Sequence, residues 1–131
     1  DSYIAARASQ FFTPGIPQVY YVGLLAGEND IELVQQTKNG RDINRHNYSL
    51  EEIAKEIEKP VVQRLLRLMA FRCACQAFDG RFTIEDSPDD QLKLSWTDLP
   101  HQATLHIDLT SYETRISYYD AEKKKMVSFT A

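Results

Sequence analysis

A chain of 131 residues, 43% hydrophobic and 11% aromatic, is long enough for one domain, or for the end of one domain plus a small second one. Its formal net charge of −4, with acids and bases interspersed apart from Lys123-Lys124-Lys125, leaves no concentrated positive stripe and argues against nucleic acid as a partner. No apolar run reaches the roughly 18 residues of a membrane span, and the first residues lack a basic-then-apolar leader pattern.

Asp1-Ser2-Tyr3-Ile4-Ala5-Ala6-Arg7 reads as the front of a helix cut from something longer. Residues 2 to 12 set Ile4, Ala5, Ala8, Phe11 and Phe12 on one helical face, and Thr13-Pro14-Gly15 stops that helix. The run Pro17 to Leu25, apolar almost throughout and rich in β-branched and aromatic residues, predicts a strand buried on both faces, with Tyr20 and Tyr21 packed in it. One of the two phenols is free to face the open end of such a strand. Asn29 or Asp30 caps a short helix through Thr37, ended by Asn39-Gly40. Ser49-Leu50-Glu51-Glu52 is a capping-box pattern that opens a charged helix to about Lys59. Pro60 suits the first turn of the next helix, whose apolar face runs Val61, Leu65, Leu68, Met69, Arg72 and Cys73 to about Ala77.

From Asp79-Gly80 the period changes to two. About five short strands follow, around Phe82, Leu92 to Trp96, Thr104 to Asp108, Arg115 to Tyr119 and Val127 to Phe129. Turn chemistry at Asp86 to Asp90 and at Asp98-Leu99-Pro100 separates them, and Lys123 to Lys125 falls in a solvated hairpin turn. The expected division is residues 1–78 and a small antiparallel β domain, 79–131. Cys73 and Cys75, two apart on a helix, point about 200° from each other and cannot bridge there. They read as packing residues in a reducing compartment, and as too few ligands for a metal.

The stretch Phe11-Phe12-Thr13-Pro14-Gly15-Ile16-Pro17-Gln18-Val19-Tyr20-Tyr21-Val22-Gly23 resembles the segment forming the eighth barrel strand in the α-amylase superfamily. Gly27-Glu28-Asn29-Asp30 and Gly40-Arg41-Asp42-Ile43-Asn44-Arg45-His46 resemble its sucrose phosphorylase branch. The resemblance covers residues 1 to about 78 and is weaker in the β-rich tail. It implies α/β plus all-β architecture: the last αβ-α portion of a (β/α)8 TIM barrel, followed by the small antiparallel sheet domain. It also implies a cytoplasmic glycosyltransferase that takes sucrose or a related glucoside and phosphate through a retaining double displacement between two carboxylates. Those carboxylates lie on earlier strands in the family, so the resemblance places the nucleophile and the acid/base upstream of Asp1, and the 131 residues alone are expected to be inactive. No cofactor or metal is implied; inorganic phosphate is the co-substrate, and the rest of the barrel is the partner. Acceptors among relatives are fructose, a phosphorylated fructose and glycerol-type alcohols.

What remains of the sugar pocket is the loop after the eighth strand. By the Arg-Asp-x-x-Arg motif the resemblance assigns glucosyl contact to Arg45, with Arg41 as second candidate. A guanidinium fork holds a carboxylate and still has N–H groups for sugar oxygens. Against this, Arg41 and Asp42 can pair simply to shape the loop. His46 reads as a packed or capping histidine, and Glu28 and Asp30 as loop and helix-start residues rather than a catalytic pair. Trp96 reads as sheet core rather than a sugar platform. The competing reading is a non-catalytic carbohydrate-binding or interaction module, which exposed aromatics on the sheet would favour; burial of Trp96, Tyr112 and Tyr118 against the helix from Pro60 would favour the enzyme.

Overall fold

A computed structural model describes residues 2–130. The chain forms two compact units, one from Gln18 to Leu65, the other from the residues up to Pro17 together with those from Leu66 onward.

In the second of these, α1 (Ser2–Phe12) buries the expected face: Ile4, Ala5, Ala8, Phe11 and Phe12. The sheet is a five-stranded antiparallel meander in sequence order: β1 (Arg81–Ile84), β2 (Gln91–Asp98), β3 (His101–Asp108), β4 (Thr114–Asp120) and β5 (Lys125–Phe129). Alternation puts Ala103, Leu105 and Ile107 of β3 on the buried face. The register then lines up Leu94, Leu105, Ile116 and Phe129 across four strands, and beside them Trp96, Ala103 and Tyr118. Small Ala103 opposite Trp96 leaves room for the indole. Two tight turns are closed by aspartates: Asp108 accepts from the Thr110 and Ser111 amides, and Asp120 from those of Glu122 and Lys123. Lys123 reaches back to Asp120 at 2.8 Å, so the lysine run does sit at a hairpin turn.

Helix α5 (Pro60–Ala74) starts at its proline as expected but ends earlier than Ala77, giving way to a 3-10 turn, Gln76–Asp79. Its buried line is Val62, Leu65, Leu68 and Phe71 rather than one through Val61, Met69 and Cys73, and Cys73 is exposed. The rotation follows from Phe71, which stacks on Phe129 at 4.5 Å and meets Tyr118 and Phe78 edge-on. An aromatic ring buries far more surface than a thiol, so it decides which side of the helix turns inward. Cys73 and Cys75 are both free thiols, and burial raises the pKa of Cys75. Arg72 lies over the Phe78 ring at 4.0 Å, which offsets its partial burial.

Trp96 is buried, not a platform: it packs on Phe78 and Phe82, and its indole N–H donates to the Phe12 carbonyl at 2.7 Å. Tyr118 packs on Phe71 of α5, whereas Tyr112 sits exposed in the β3–β4 turn.

The other unit holds α2 (Tyr21–Leu24), α3 (Ile31–Thr37), a 3-10 turn (Gly40–Asn44), α4 (Leu50–Ile57) and the start of α5. The expected buried strand from Pro17 to Leu25 is absent. The backbone is extended at Tyr20 and then coils into the single turn α2, leaving Tyr20 and Tyr21 exposed. The segment takes a turn closed by Ala26, whose backbone is left-handed (φ 49°). Its amides turn inward: Leu24 donates to Tyr20, Leu25 to Tyr21 and Gly27 to Val22.

Trp96→Phe keeps one aromatic ring but loses the other and leaves the buried Phe12 carbonyl without a donor; the lost bond alone costs about 1–3 kcal/mol. Leu105→Ala opens a cavity worth about 2–5 kcal/mol. Leu99→Ala, at an exposed turn, is expected to change stability by less than about 0.5 kcal/mol. Melting followed by circular dichroism checks all three; an unchanged midpoint for Trp96→Phe would remove the indole bond from the account.

Candidate functional site

The site is built on the two helix starts and the loop joining them. Asp30 caps α3 by accepting the Leu33 amide at 2.8 Å, and its own N–H donates to the Ile43 carbonyl at 2.7 Å. Helix α3 stops at Lys38, whose left-handed backbone (φ 57°) takes the capping role expected of Asn39-Gly40. Asn39 then organises the turn: its side-chain oxygen accepts from Arg41 N–H at 3.2 Å and its amide donates to Asp42 at 3.2 Å. At the far end Ser49 and Glu52 form the full capping box of α4, with Ser49 N–H donating to Glu52 Oε2 at 2.6 Å.

Between these fixed ends stands the motif loop. Asp42 does not pair with Arg41; it faces Arg45, Nη1 to Oδ1 at 3.6 Å. The reason is helical: a 3-10 turn over Gly40–Asn44 brings residues three apart to the same side, whereas adjacent residues diverge. The Arg45 side chain remains 50% exposed. A pair that long and open contributes little, so the guanidinium keeps N–H groups for another partner. Tyr20, Arg41, Ile43, Asn44 and Arg45 line an open hollow of about 410 Å³. Two arginines, an asparagine and a tyrosine around one hollow suit a hydroxylated or anionic small molecule.

The structure thus brings Arg41 and Arg45 to one hollow and adds Tyr20 and Asn44, which the sequence reading did not assign to a site. Asn44 fills an unspecified position of the Arg-Asp-x-x-Arg motif and so had no signal of its own; for Tyr20 the sequence left open that one of the two phenols faces the open end of its run. Tyr20 and Tyr21 rings lie 4.5 Å apart, and the Tyr21 hydroxyl donates to the His46 carbonyl at 3.0 Å.

His46 is a packed, cap-linked histidine. Nδ1 lies 3.2 Å from Asp30 Oδ2 and Nε2 lies 3.3 Å from Glu52 Oε1, and the ring meets Tyr48 edge-on at 4.6 Å. The Asp30 hydrogen bond, then that of Glu52, raise its pKa above the ordinary imidazole value. The Leu33 amide, then His46, lower that of Asp30; the Ser49 backbone and side chain, then His46, lower that of Glu52. Asp30 is committed to these contacts, and Glu28 stands in the exposed loop before it. Among the described residues no group of three or more His, Cys, Asp or Glu is placed to hold a metal ion, and no helix is long and apolar enough to cross a membrane.

Ser49→Ala is expected to cost about 1 kcal/mol by removing the α4 cap. Thermal melting and the hydrogen exchange of the Leu50–Ile57 amides check this; exchange at the wild-type rate would mean that the box does not hold the helix start.

No family model matches the chain. It is 58% identical over 118 residues to the sucrose 6(F)-phosphate phosphorylase of Thermoanaerobacterium thermosaccharolyticum, a match covering 90% of this chain and 24% of that protein. It is 54% identical to the glucosylglycerol phosphorylase of Marinobacter adhaerens, over 93% of this chain and 25% of the relative. With the sucrose phosphorylase of Bifidobacterium adolescentis it shares 54% identity, over 79% of this chain and 20% of the relative. The crystal structure of sucrose 6F-phosphate phosphorylase from Thermoanaerobacter thermosaccharolyticum superposes with a TM-score of 0.96 at 54% identity, covering 99% of this chain and 26% of that one. The chain therefore spans about a quarter of the length of the curated relatives it matches.

Proposed function

Since this chain belongs to the sucrose phosphorylase family, we propose that it serves as part of a cytoplasmic glucosyl-transferring phosphorylase, contributing one wall of the glucosyl site rather than the reacting carboxylates. The observation that carries this is the half-exposed Arg45 guanidinium, held at a hollow by a loop braced at both ends. The family likeness supports the same reading: the three relatives act, by name, on sucrose 6(F)-phosphate, glucosylglycerol and sucrose. These glucosides differ in the acceptor and share the glucosyl unit. The role proposed for this chain is toward that shared unit.

In the proposed reaction one carboxylate displaces the acceptor oxygen from the anomeric carbon while a second carboxyl protonates that oxygen. Phosphate then attacks the glucosyl-enzyme, expelling the carboxylate and giving glucose 1-phosphate. Both carboxyls are supplied by sequence outside these 131 residues, and no cofactor enters. Arg45, with Arg41 beside it, orients the sugar through charge-assisted hydrogen bonds; this aligns the reacting carbon without breaking the bond. In the complete enzyme the extended backbone leading to Tyr20 belongs to a (β/α)8 barrel, and the sheet forms the small domain that follows.

Arg45→Ala in the full-length enzyme is expected to lower kcat/KM for the glucoside by about 100-fold or more, with the melting temperature nearly unchanged. Near wild-type turnover would sink the sugar-contact role. The purified 131-residue chain is expected to release no glucose 1-phosphate from sucrose and phosphate in a coupled assay; measurable release would place the carboxylates within it.

A further inference from the structure

We propose that His46 is a positioning residue for Arg45: as a doubly protonated imidazolium it clamps the caps of α3 and α4 together and holds the sugar-binding loop in register. This role rests on the reading of Arg45 given above. The geometry of the ring carries the argument. Its two nitrogens stand 3.2 and 3.3 Å from oxygens of two different carboxylates, Asp30 and Glu52. A neutral imidazole has one N–H and one lone pair, so it would satisfy one carboxylate and set its lone pair against the other. Only the imidazolium donates to both.

The carboxylates, for their part, cannot simply turn away. The second oxygen of Asp30 accepts the Leu33 amide, and that of Glu52 accepts the Ser49 amide. Each acid therefore spends one oxygen on a helix start and one on His46. The backbone of the same residue is held as well, through the Tyr21 hydroxyl on its carbonyl. Arg45 is its covalent neighbour, so fixing His46 at ring and carbonyl fixes where the guanidinium begins.

The other acids near the ring favour the same protonation state. Glu28 and Glu32 come from the α3 side and Glu56 from α4, with Lys59 as the nearby cation, itself paired to Glu56. The neighbouring phenols, Tyr21 and Tyr48, have raised pKa values, Tyr21 through loss of water and its Tyr20 neighbour, Tyr48 through partial burial. Because the His46 pKa is raised by folding, the clamp is at full strength below the ordinary imidazole value of about 6.5 and is released as pH climbs through the raised value. The lowered pKa values of Asp30 and Glu52 keep both acids charged throughout that range, and clamping is lost on the acid side only as pH falls through them.

The test uses the full-length enzyme and its glucoside donor, with KM and kcat measured separately from about pH 6 to about pH 8.5. In the wild type KM is expected to rise about fivefold across that range. His46→Gln should show the higher KM already at the acid end and no further rise, with the effect on KM rather than kcat. Glu52→Gln, which keeps a capping-box residue at that position, should shift the rise to lower pH. Hydrogen exchange of the Gly40–Tyr48 segment, corrected for the intrinsic pH effect, should quicken over the same range in the wild type and stay fast in His46→Gln. Identical exchange and KM profiles in wild type and both variants would overturn the clamp. Exchange that behaves as stated while KM stays flat would uphold the clamp and overturn the sugar-contact reading of Arg45 instead.

Discussion

One hydrogen bond organises the larger unit: the Trp96 indole N–H on the carbonyl of Phe12. Phe12 is the last residue of α1, and its carbonyl is among those a helix end leaves without an internal partner. Both groups are buried, so neither can fall back on water. The bond therefore joins the end of the first helix to the middle of the second strand and sets where the surrounding rings must lie. Phe12 meets Phe78 edge-on at 5.0 Å, Phe78 meets Trp96, and Phe71 extends the cluster to Tyr118 and Phe129. With one tryptophan in the chain, no other side chain could supply both the indole area and its donor.

The smaller unit is made differently. Its buried apolar side chains are Val22, Leu25, Val62 and Leu65, and neither α3 nor α4 buries a residue. So few apolar groups offset only part of the entropy of ordering some fifty residues. The polar interactions at the helix starts take over, and they are shared: Asp30 and Glu52 each serve a cap and the imidazole. Close packing persists at one point. Gly27 lies against Tyr48, where a methyl group would come within 2.1 Å of the phenol oxygen, so this turn accepts no larger residue without displacing the ring beside His46.

Much of this was legible in the amino-acid order. The α1 face, the Asp30 cap, the Ser49 box, Pro60 at a helix start and the five strands all follow from local rules, because the groups that decide them lie within four residues of one another. Most of the failures have the opposite cause. The run from Pro17 to Leu25 has a strand's composition, but its backbone stays extended only as far as Tyr20 and then closes into the turn that ends at Ala26. The α5 face was misplaced because Phe71 answers to Phe129, far along the chain. Asp42 was given to its neighbour Arg41, since the 3-10 turn that hands it to Arg45 leaves no mark of its own. His46 was recognised as a capping histidine, yet its link to two acids 16 and 6 residues away could not be read from spacing.

The 84-residue separation between Phe12 and Trp96 also bears on how the molecule is made. Each strand of the meander pairs with the one just before it, so the sheet can close hairpin by hairpin as it leaves the ribosome. Helix α1 has no such luck. At roughly 5–20 residues per second, the carbonyl at its end waits on the order of ten seconds for the indole that caps it. Through that interval the buried face of α1, with Phe11 and Phe12 at its end, has yet to meet the sheet that covers it.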